Sequence, residues 1–241
     1  MKLRAGYSRT LARPTVVEIS PFEQLIGIGQ PVREGNPLLE RTLIDNFDLR
    51  WEWFFSITEM VSVSAFYKNF QNPIELAQDF STQNLRFKYV NRDSAFITGV
   101  EFEFKKNLGF IAPALEKLVF GGNASFIYSE AALTQDEIRN ITAVDSTRSL
   151  TRPLFGQSPY VLNAELAYID KDALGLQVAA NFNVFGPRIV VAGGTAPDIY
   201  EQPRPSLNLS IAKDIGQYLR VRFRANNLLN PQFKQTQEFK G

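Results

Sequence analysis

Apolar and polar side chains alternate residue by residue through the segment LIDNFDLRWEWFF, Leu43 to Phe55. One face would carry Leu43, Phe47, Leu49, Trp51 and Trp53, interrupted by Asp45, and the other Asn46, Asp48, Arg50 and Glu52. A period of two is that of a β-strand. A long strand with an aromatic face and a charged face is typical of a strand that crosses a membrane. The alternative is one half-buried strand of a soluble β-sandwich, and this segment alone does not decide between them.

The same alternation recurs along the chain and predicts nine antiparallel strands. Their predicted ranges are 2–9, 41–54, 61–70, 85–106, 117–129, 158–169, 174–186, 205–213 and 218–226. In the long fourth strand, the apolar positions change parity within NRDSA, which predicts a single strand with a β-bulge. The alternative is two strands joined by a tight turn at Asn91-Arg92-Asp93.

The connections between the predicted strands alternate between long and short if the fourth strand is continuous. Membrane barrels of bacteria have short turns at one end and long loops at the other, so this order favours a transmembrane barrel over a soluble sandwich. Such single-chain barrels have even strand numbers, whereas this chain has about nine strands and finishes in the loop-like FKQTQEFKG. The sequence therefore predicts an all-β fold, a segment of a larger barrel.

The alternation also assigns side chains to the two faces of the wall. The residues predicted to face lipid are Trp51, Trp53, Phe102, Phe104, Leu162, Leu166, Val178, Phe182, Val221 and Phe223. Those predicted to face the lumen are Arg50, Glu101, Glu103, Glu165, Asn181, Arg220 and Arg222.

Composition narrows the function classes. The 241 residues contain no cysteine and no histidine, which excludes thiolate or histidine metal sites and histidine-based catalysis. We therefore predict no enzyme, no catalytic, cofactor-binding or metal-binding residues, and no cofactor. The net charge of +1 implies no nucleic-acid partner. The start, MKLRAGYSRT, has no apolar signal region, so we expect either a removed signal peptide or a longer parent chain.

Several charged groups are candidates for recognition, but each also has a structural interpretation. On the predicted lumen face these are Arg220, Arg222 and Arg224, then Asp48, Arg50 and Glu52, and the carboxylate pair Glu101 and Glu103. Salt bridges across the wall, with Glu101, Glu103 and Glu165 as partners of the arginines, are favoured over ligand contacts or acid–base chemistry.

The predicted external loops carry further charges, and external loops often carry recognition. These are Arg188, Asp198, Glu201 and Arg204 in one loop, and Arg139, Asp145, Arg148 and Arg152 in another. Solvated loop charge is the favoured interpretation, and the ligand-binding residues stay unknown. Phe110 and Leu115 are expected to pack at a barrel rim. Six prolines are predicted to lie in or beside loops: Pro73, Pro153, Pro187, Pro197, Pro203 and Pro205.

Four segments resemble the C-terminal barrel of TonB-dependent outer-membrane receptors, most closely the Bacteroidetes type. They are LRAGYSRTLARPTVVEISP, GNPLLERTLIDNFDLRWEWF, VNRDSAFITGVEFEF and NNLLN, in the order of that family. The resemblance implies that residues 1–241 are part of a barrel of the 22-stranded plugged kind, with the plug, the TonB box, the early strands and the last strand absent.

It also implies active uptake of a scarce ligand, such as a metal chelate, vitamin or glycan, across the outer membrane of a Gram-negative cell. The implied partners are outer-membrane lipid, the remaining strands and plug of the parent protein, the TonB system and an unknown small molecule. The alternatives are a passive porin-type channel and a soluble all-β binding module.

Overall fold

The computed structural model describes residues 1–24, 32–79, 86–144, 149–192 and 197–237. Their strands are β1 (Lys2–Ala12), β2 (Glu23–Gln24), β3 (Val32–Glu34), β4 (Thr42–Phe54), β5 (Met60–Gln71), β6 (Ile74–Asp79), β7 (Arg86–Asn91), β8 (Ser94–Asn107), β9 (Leu118–Ala132), β10 (Thr151–Arg152), β11 (Tyr160–Asp170), β12 (Leu176–Phe185), β13 (Arg188–Val191), β14 (Ile199–Glu201), β15 (Ser206–Ile215), β16 (Leu219–Ala225) and β17 (Gln235–Gln237). The helices are α1 (Val16–Ile19) and α2 (Gln135–Val144), with 3-10 turns at Leu108–Phe110 and Pro113–Leu115. Within these ranges, no helix is both long and apolar enough to cross a membrane.

Nine strands form one antiparallel sheet, called the wall sheet below. Its order is β1-β4-β5-β8-β9-β11-β12-β15-β16, and the short β10 is attached beside β9. Each inner wall strand therefore pairs with the wall strands before and after it along the chain, as in a meander of hairpins. The predicted antiparallel all-β fold with nine main strands is confirmed.

The connections of the wall sheet differ between its two ends. Residues 55–59, 108–117, 171–175 and 216–218 make short links at one end, called the turn end. Residues 13–41, 72–93, 133–159 and 186–205 make long links at the other, called the loop end. The predicted alternation is confirmed, and the six named prolines all lie outside strands. At the turn end Phe110 is exposed, with Lys106 Nζ 5.5 Å from its ring centroid, whereas Leu115 is half-buried.

The prediction of one bulged strand over 85–106 is wrong. The chain forms β7 and β8, in different sheets, with Arg92 and Asp93 between them; position 85 lies outside the described residues. There is no tight turn either, because the β6–β7 pairing continues the register of the β5–β8 pairing without a shift. The parity of apolar positions changes because the buried side of the hairpin changes: Phe87 is 5% exposed beyond the wall, whereas Phe102 on the wall is 46% exposed.

The register of the wall sheet confirms the division into two faces. Trp51 pairs with Val63, which pairs with Phe102, and the remaining predicted lipid-facing residues follow on the same side, called the apolar face. The seven residues predicted to face the lumen lie on the opposite side, called the polar face. A strand side chain points to alternate sides, so a consistent register carries each face across all nine strands.

The buried apolar core of the described residues lies mainly at the loop end. Its large members are Leu76, Phe87, Leu133, Ile141 and Ile189, all of them buried. The loops add two small sheets, β2-β3-β7-β6, in which β3 and β7 are parallel, and β13-β14-β17. A bridge between Ala77 and Ala192 joins the two. Strand β17 falls in the terminal segment predicted to be loop-like, which is a further correction.

Gly99 occupies a wall position where a side chain does not fit. A Cβ atom there would lie 2.6 Å from the carbonyl oxygen of Phe126 and 2.6 Å from the ring of Phe66. We expect Gly99→Ala to lower stability by about 1–3 kcal/mol, because backbone of the neighbouring strand cannot yield. Gly121→Ala is the matched control, since its nearest atom is 3.8 Å away. Denaturant titration of the complete receptor carrying either substitution measures the free energy of unfolding, and equal values for the two variants would contradict the expectation.

Candidate functional site

A chain of ion pairs crosses four strands on the polar face. Arg50 Nε lies 2.8 Å from Glu52 Oε1, and Arg50 Nη2 lies 2.7 Å from Glu103 Oε2. Arg4 extends the chain to β1, with Nη2 at 3.2 Å from Glu52 Oε2. The salt-bridge interpretation of Arg50, Glu52 and Glu103 is therefore confirmed. Asp48 is exposed on the same face.

The predicted partners of the arginine stripe are wrong. Arg220 Nη2 donates to Asp214 Oδ2 at 2.8 Å, on the adjacent strand β15. Glu103 is bound by Arg50, and Glu101 accepts a hydrogen bond from Ser125. Glu165 lies on β11, three strands from β16. Strands lie about 4.8 Å apart, so a side chain cannot bridge that gap. Arg222 and Arg224 line a shallow polar-face cavity of about 340 Å³ near the turn end.

A row of asparagines continues the polar face. Asn163 Nδ2 donates to Asn123 Oδ1 at 2.7 Å, and Asn183 Nδ2 donates to Asn163 Oδ1 at 2.6 Å. The row crosses β9, β11 and β12 in register. It lines a groove of about 330 Å³ that Glu165 and Asn181 also border. An amide side chain both donates and accepts hydrogen bonds, so this surface can bind hydrogen-bond donors as well as acceptors.

The predicted loop candidates do not form one site. Arg188 Nη2 pairs with Glu201 Oε2 at 2.8 Å, and the Arg204 guanidinium lies 5.8 Å from the ring centroid of Phe233. Arg139 lies on α2, while Asp198 and Arg152 line a common cavity. Asp145 and Arg148 lie outside the described residues.

The loop end contains a buried group of charges, called the ionic cluster below, formed by Glu75, Arg92, Glu137 and Arg152. All four are at most 9% exposed. Arg92 Nε donates to Glu75 Oε2 at 2.8 Å, and Arg92 Nη2 donates to Glu137 Oε1 at 2.8 Å. Arg152 Nη2 donates to the same Glu75 oxygen at 2.6 Å. Two buried carboxylates and two guanidiniums thus balance in charge and tie the loops 72–93 and 133–159 together.

The environment of Glu137 favours the ionised form of its carboxyl. Burial disfavours the charged form of Glu137, but the hydrogen bond and charge of Arg92 outweigh it and lower the pKa of that carboxyl. Because the folded pKa is depressed, the contribution to stability is present above the ordinary glutamate value of about 4.3 and is lost as pH falls through the folded pKa.

Sequence reasoning missed three members of the cluster and helix α2. The predicted polar loop of residues 130–157 contains TQDE immediately before an apolar-periodic run. Thr134 N donates to Glu137 Oε2 at 3.0 Å, and Glu137 N donates to Thr134 Oγ1 at 3.3 Å. This is a capping box, whose sequence signature could have located the helix start. No comparable local signal marks Glu75 or Arg92, because their partners are distant along the chain.

The family model described as "TonB dependent receptor-like, beta-barrel" matches residues 1–228. A comparison with curated protein sequences gave no match.

Solved structures of receptors share the fold. They include the ferric enterobactin receptor PfeA of Pseudomonas aeruginosa, at 16% identity and a TM-score of 0.57, over 94% of this chain and 32% of that one. The siderophore receptor PirA of the same organism gives 16% and 0.59, over 95% and 36%. The copper transporter OprC gives 12% and 0.65, over 97% and 32%.

The chain thus spans about a third of the length of the structures that it matches. At these identities the likeness concerns the fold, and the family model covers nearly the whole chain. The nine-stranded order, the two faces and the long and short connections agree with that match. The chain therefore belongs to the TonB-dependent receptor β-barrel family, and its wall sheet is a segment of such a barrel.

Proposed function

We propose that this chain is part of the wall of a receptor in the Gram-negative outer membrane that imports a scarce nutrient by TonB-driven transport. The observation that carries the proposal is a single wall sheet with one apolar and one charged face, in a family of transport receptors. The candidate ligands are a metal chelate, a vitamin or a glycan. The similar solved structures carry the names of ferric enterobactin, siderophore and copper receptors or transporters.

Exposure of the apolar face supports a lipid environment over a soluble binding module. Trp53, Phe102 and Phe223 are 48%, 46% and 57% exposed on that one side. An aromatic row also crosses five strands near the loop end, with ring centroids of successive members 4.9 to 6.2 Å apart: Tyr7, Phe47, Tyr67, Phe96 and Tyr128. Soluble proteins seldom expose so extended an apolar surface, whereas membrane barrels carry aromatic girdles at both interfaces.

The edges of the wall sheet support completion by further strands. Within the described residues, β1 and β16 each pair on one side alone. An unpaired backbone group in hydrocarbon costs several kcal/mol, so a sheet spans a membrane only when closed. We propose that the remaining strands and the plug belong to the same receptor, and that the plug couples it to TonB. The polar face, with its ion pairs and asparagines, would then surround the plug.

Uptake by cells tests the proposal. A strain lacking the complete receptor should lose TonB-dependent growth on one scarce nutrient, and the receptor gene should restore it in a strain with TonB but not in one without it. Uptake that persists without TonB would favour a passive channel and contradict the proposal.

Residues 1–241 reconstituted alone in liposomes should give neither uptake nor stable conductance, because the open edges at β1 and β16 cannot be satisfied in lipid. Solute flux and single-channel recording measure this, with the complete receptor reconstituted in parallel. Ligand-specific uptake by residues 1–241 without any added polypeptide would contradict the proposed barrel completion.

A further inference from the structure

The shallow cavity on the polar face near the turn end, called the arginine groove below, is bordered by Arg222 and Arg224 of β16. Its volume is about 340 Å³. The floor is one row of the register in which the side chains are small: Ala167, Ala179 and Ser210. The next row toward the loop end carries longer side chains: Glu165, Asn181 and Asn208. The groove is therefore a depression made by side-chain size, and a partner can enter it from the lumen.

The two arginines of the groove have no acidic partner within the part of the chain that the structure describes. Asp214 on the adjacent strand is already bound by Arg220, whose Nη2 lies 2.8 Å from Oδ2. Arg222 and Arg224 are both exposed. A guanidinium binds a carboxylate through two parallel hydrogen bonds, so a carboxylate matches it in charge and in shape. The groove thus offers two uncompensated positive charges beside a floor with room for acidic side chains.

The position of the groove determines which kind of partner can fill it. Arg222 and Arg224 alternate with Val221 and Phe223 of the apolar face, so they point away from lipid. The floor extends to Ala167 on β11, three strands from β16. A residue on a strand added beside β16 would have to span four strand spacings, about 19 Å, to cover that floor. A polypeptide segment that lies on the polar face itself covers the whole groove.

We propose that the arginine groove binds an acidic segment of the receptor's plug, in which Asp or Glu side chains pair with Arg222 and Arg224. The proposal rests on the proposed receptor function, in which the polar face surrounds the plug, and it adds the place and the charge of one contact. The chain spans about a third of the length of the matched receptor structures, so most of such a receptor lies outside it and can supply the segment.

The other arginines of the polar face do not offer the same contact. Arg4 Nη2 lies 3.2 Å from Glu52, and Arg50 Nη2 lies 2.7 Å from Glu103. Their charges are compensated within the wall, whereas those of Arg222 and Arg224 are not. An acidic segment therefore gains more at β15 and β16 than at β1 and β4, because no existing ion pair has to be broken first.

Site-specific photocrosslinking in the complete receptor tests this contact. A short aliphatic residue that carries a diazirine replaces Gln177, which lines the groove. The matched control carries the same residue at Val178, the next position of β12, on the apolar face. Mass spectrometry of the digested receptor identifies the crosslinked peptide. We expect position 177 to crosslink to a plug peptide that contains Asp or Glu, and position 178 to crosslink to no plug peptide.

Charge reversal measures whether the arginines hold the segment. Arg222→Glu combined with Arg224→Glu should lower the crosslinking yield at position 177 about tenfold or more, because like charges then face each other. Replacing the crosslinked acidic residues of the plug with arginine in the same receptor should restore the yield. Lys213→Glu is the control, since Lys213 lies at the same level on the apolar side of β15 and should leave the yield unchanged. Urea titration establishes that each variant is folded.

The proposal is overturned if position 177 crosslinks to no plug peptide, to another wall strand, or to a plug peptide without an acidic residue. An unchanged yield after charge reversal in a folded receptor overturns it as well. Failure here is distinguishable from failure of the receptor proposal. A receptor with TonB-dependent uptake but without this crosslink refutes the docking surface alone. A crosslink that charge reversal abolishes, in a receptor whose uptake persists without TonB, refutes the transport proposal alone.

Discussion

Arg92→Met should destabilise the loop end of the receptor by about 3–5 kcal/mol, the cost of leaving buried charges without their partner. Arg92 is 1% exposed and binds both Glu75 and Glu137. Among the described residues, its removal leaves Glu137 with the hydrogen bonds from Thr134 as compensation. Hydrogen exchange of amides in β6 and α2 measures the local opening free energy.

Arg86→Met provides the matched control for this result. Arg86 lies in the same hairpin and pairs with Glu23 at 2.8 Å, but its side chain is 32% exposed. A pair in contact with solvent contributes about 0–1 kcal/mol, so the control should change exchange little. If both variants exchanged alike, the cluster would not be the element that holds the loops together.

Phe182→Arg should cost about 2–4 kcal/mol if the position lies near the middle of the bilayer, because a charge on the lipid face must enter hydrocarbon. Phe182 lies on the apolar face of β12, between Ala164 and Leu207. Urea titration of the refolding of the complete receptor into lipid measures the difference.

Asn181→Arg is the control at the adjacent position. Asn181 lies on the polar face beside Glu165 and Asn208, where an arginine meets water and a carboxylate, so we expect a small effect. Equal costs for the two substitutions would contradict the proposed orientation of the wall.

The wall could be predicted from sequence because period-two patterning is local. The alternation within Leu43 to Phe55 is enough to assign its apolar and polar faces, and the further strands show the same alternation. The exception is the segment 85–106. Its apolar positions change parity within NRDSA, which predicts a β-bulge. The structure shows instead an unshifted register, with a different side buried beyond the wall. The alternation of a sequence shows which side of a strand is apolar. It does not show whether that side lies on the exposed face of the wall or in the buried core of the loops.

The loop-end features were beyond local reasoning because their contacts join distant segments. Glu75 and Arg152 lie 77 positions apart in the chain, and no spacing rule connects them. The capping box of Thr134 and Glu137 is visible in the sequence and indicates a helix start, but it lies within a segment predicted to be a loop. Salt bridges on the polar face could be predicted from the charged residues of the wall strands. Their partners could not, because these depend on which strands lie within reach, as the pairing of Arg220 with Asp214 illustrates.

The buried core at the loop end has a consequence for the order of assembly. Its members come from three loops, and wall strands separate those loops along the chain. Closing long stretches of chain is entropically costly until the strands between them have paired. The strands of the wall should therefore pair first, and the buried core at the loop end should pack last. During insertion the chain passes through a stage with a finished wall and open loops, in which protease should cut at 133–159 while the wall resists.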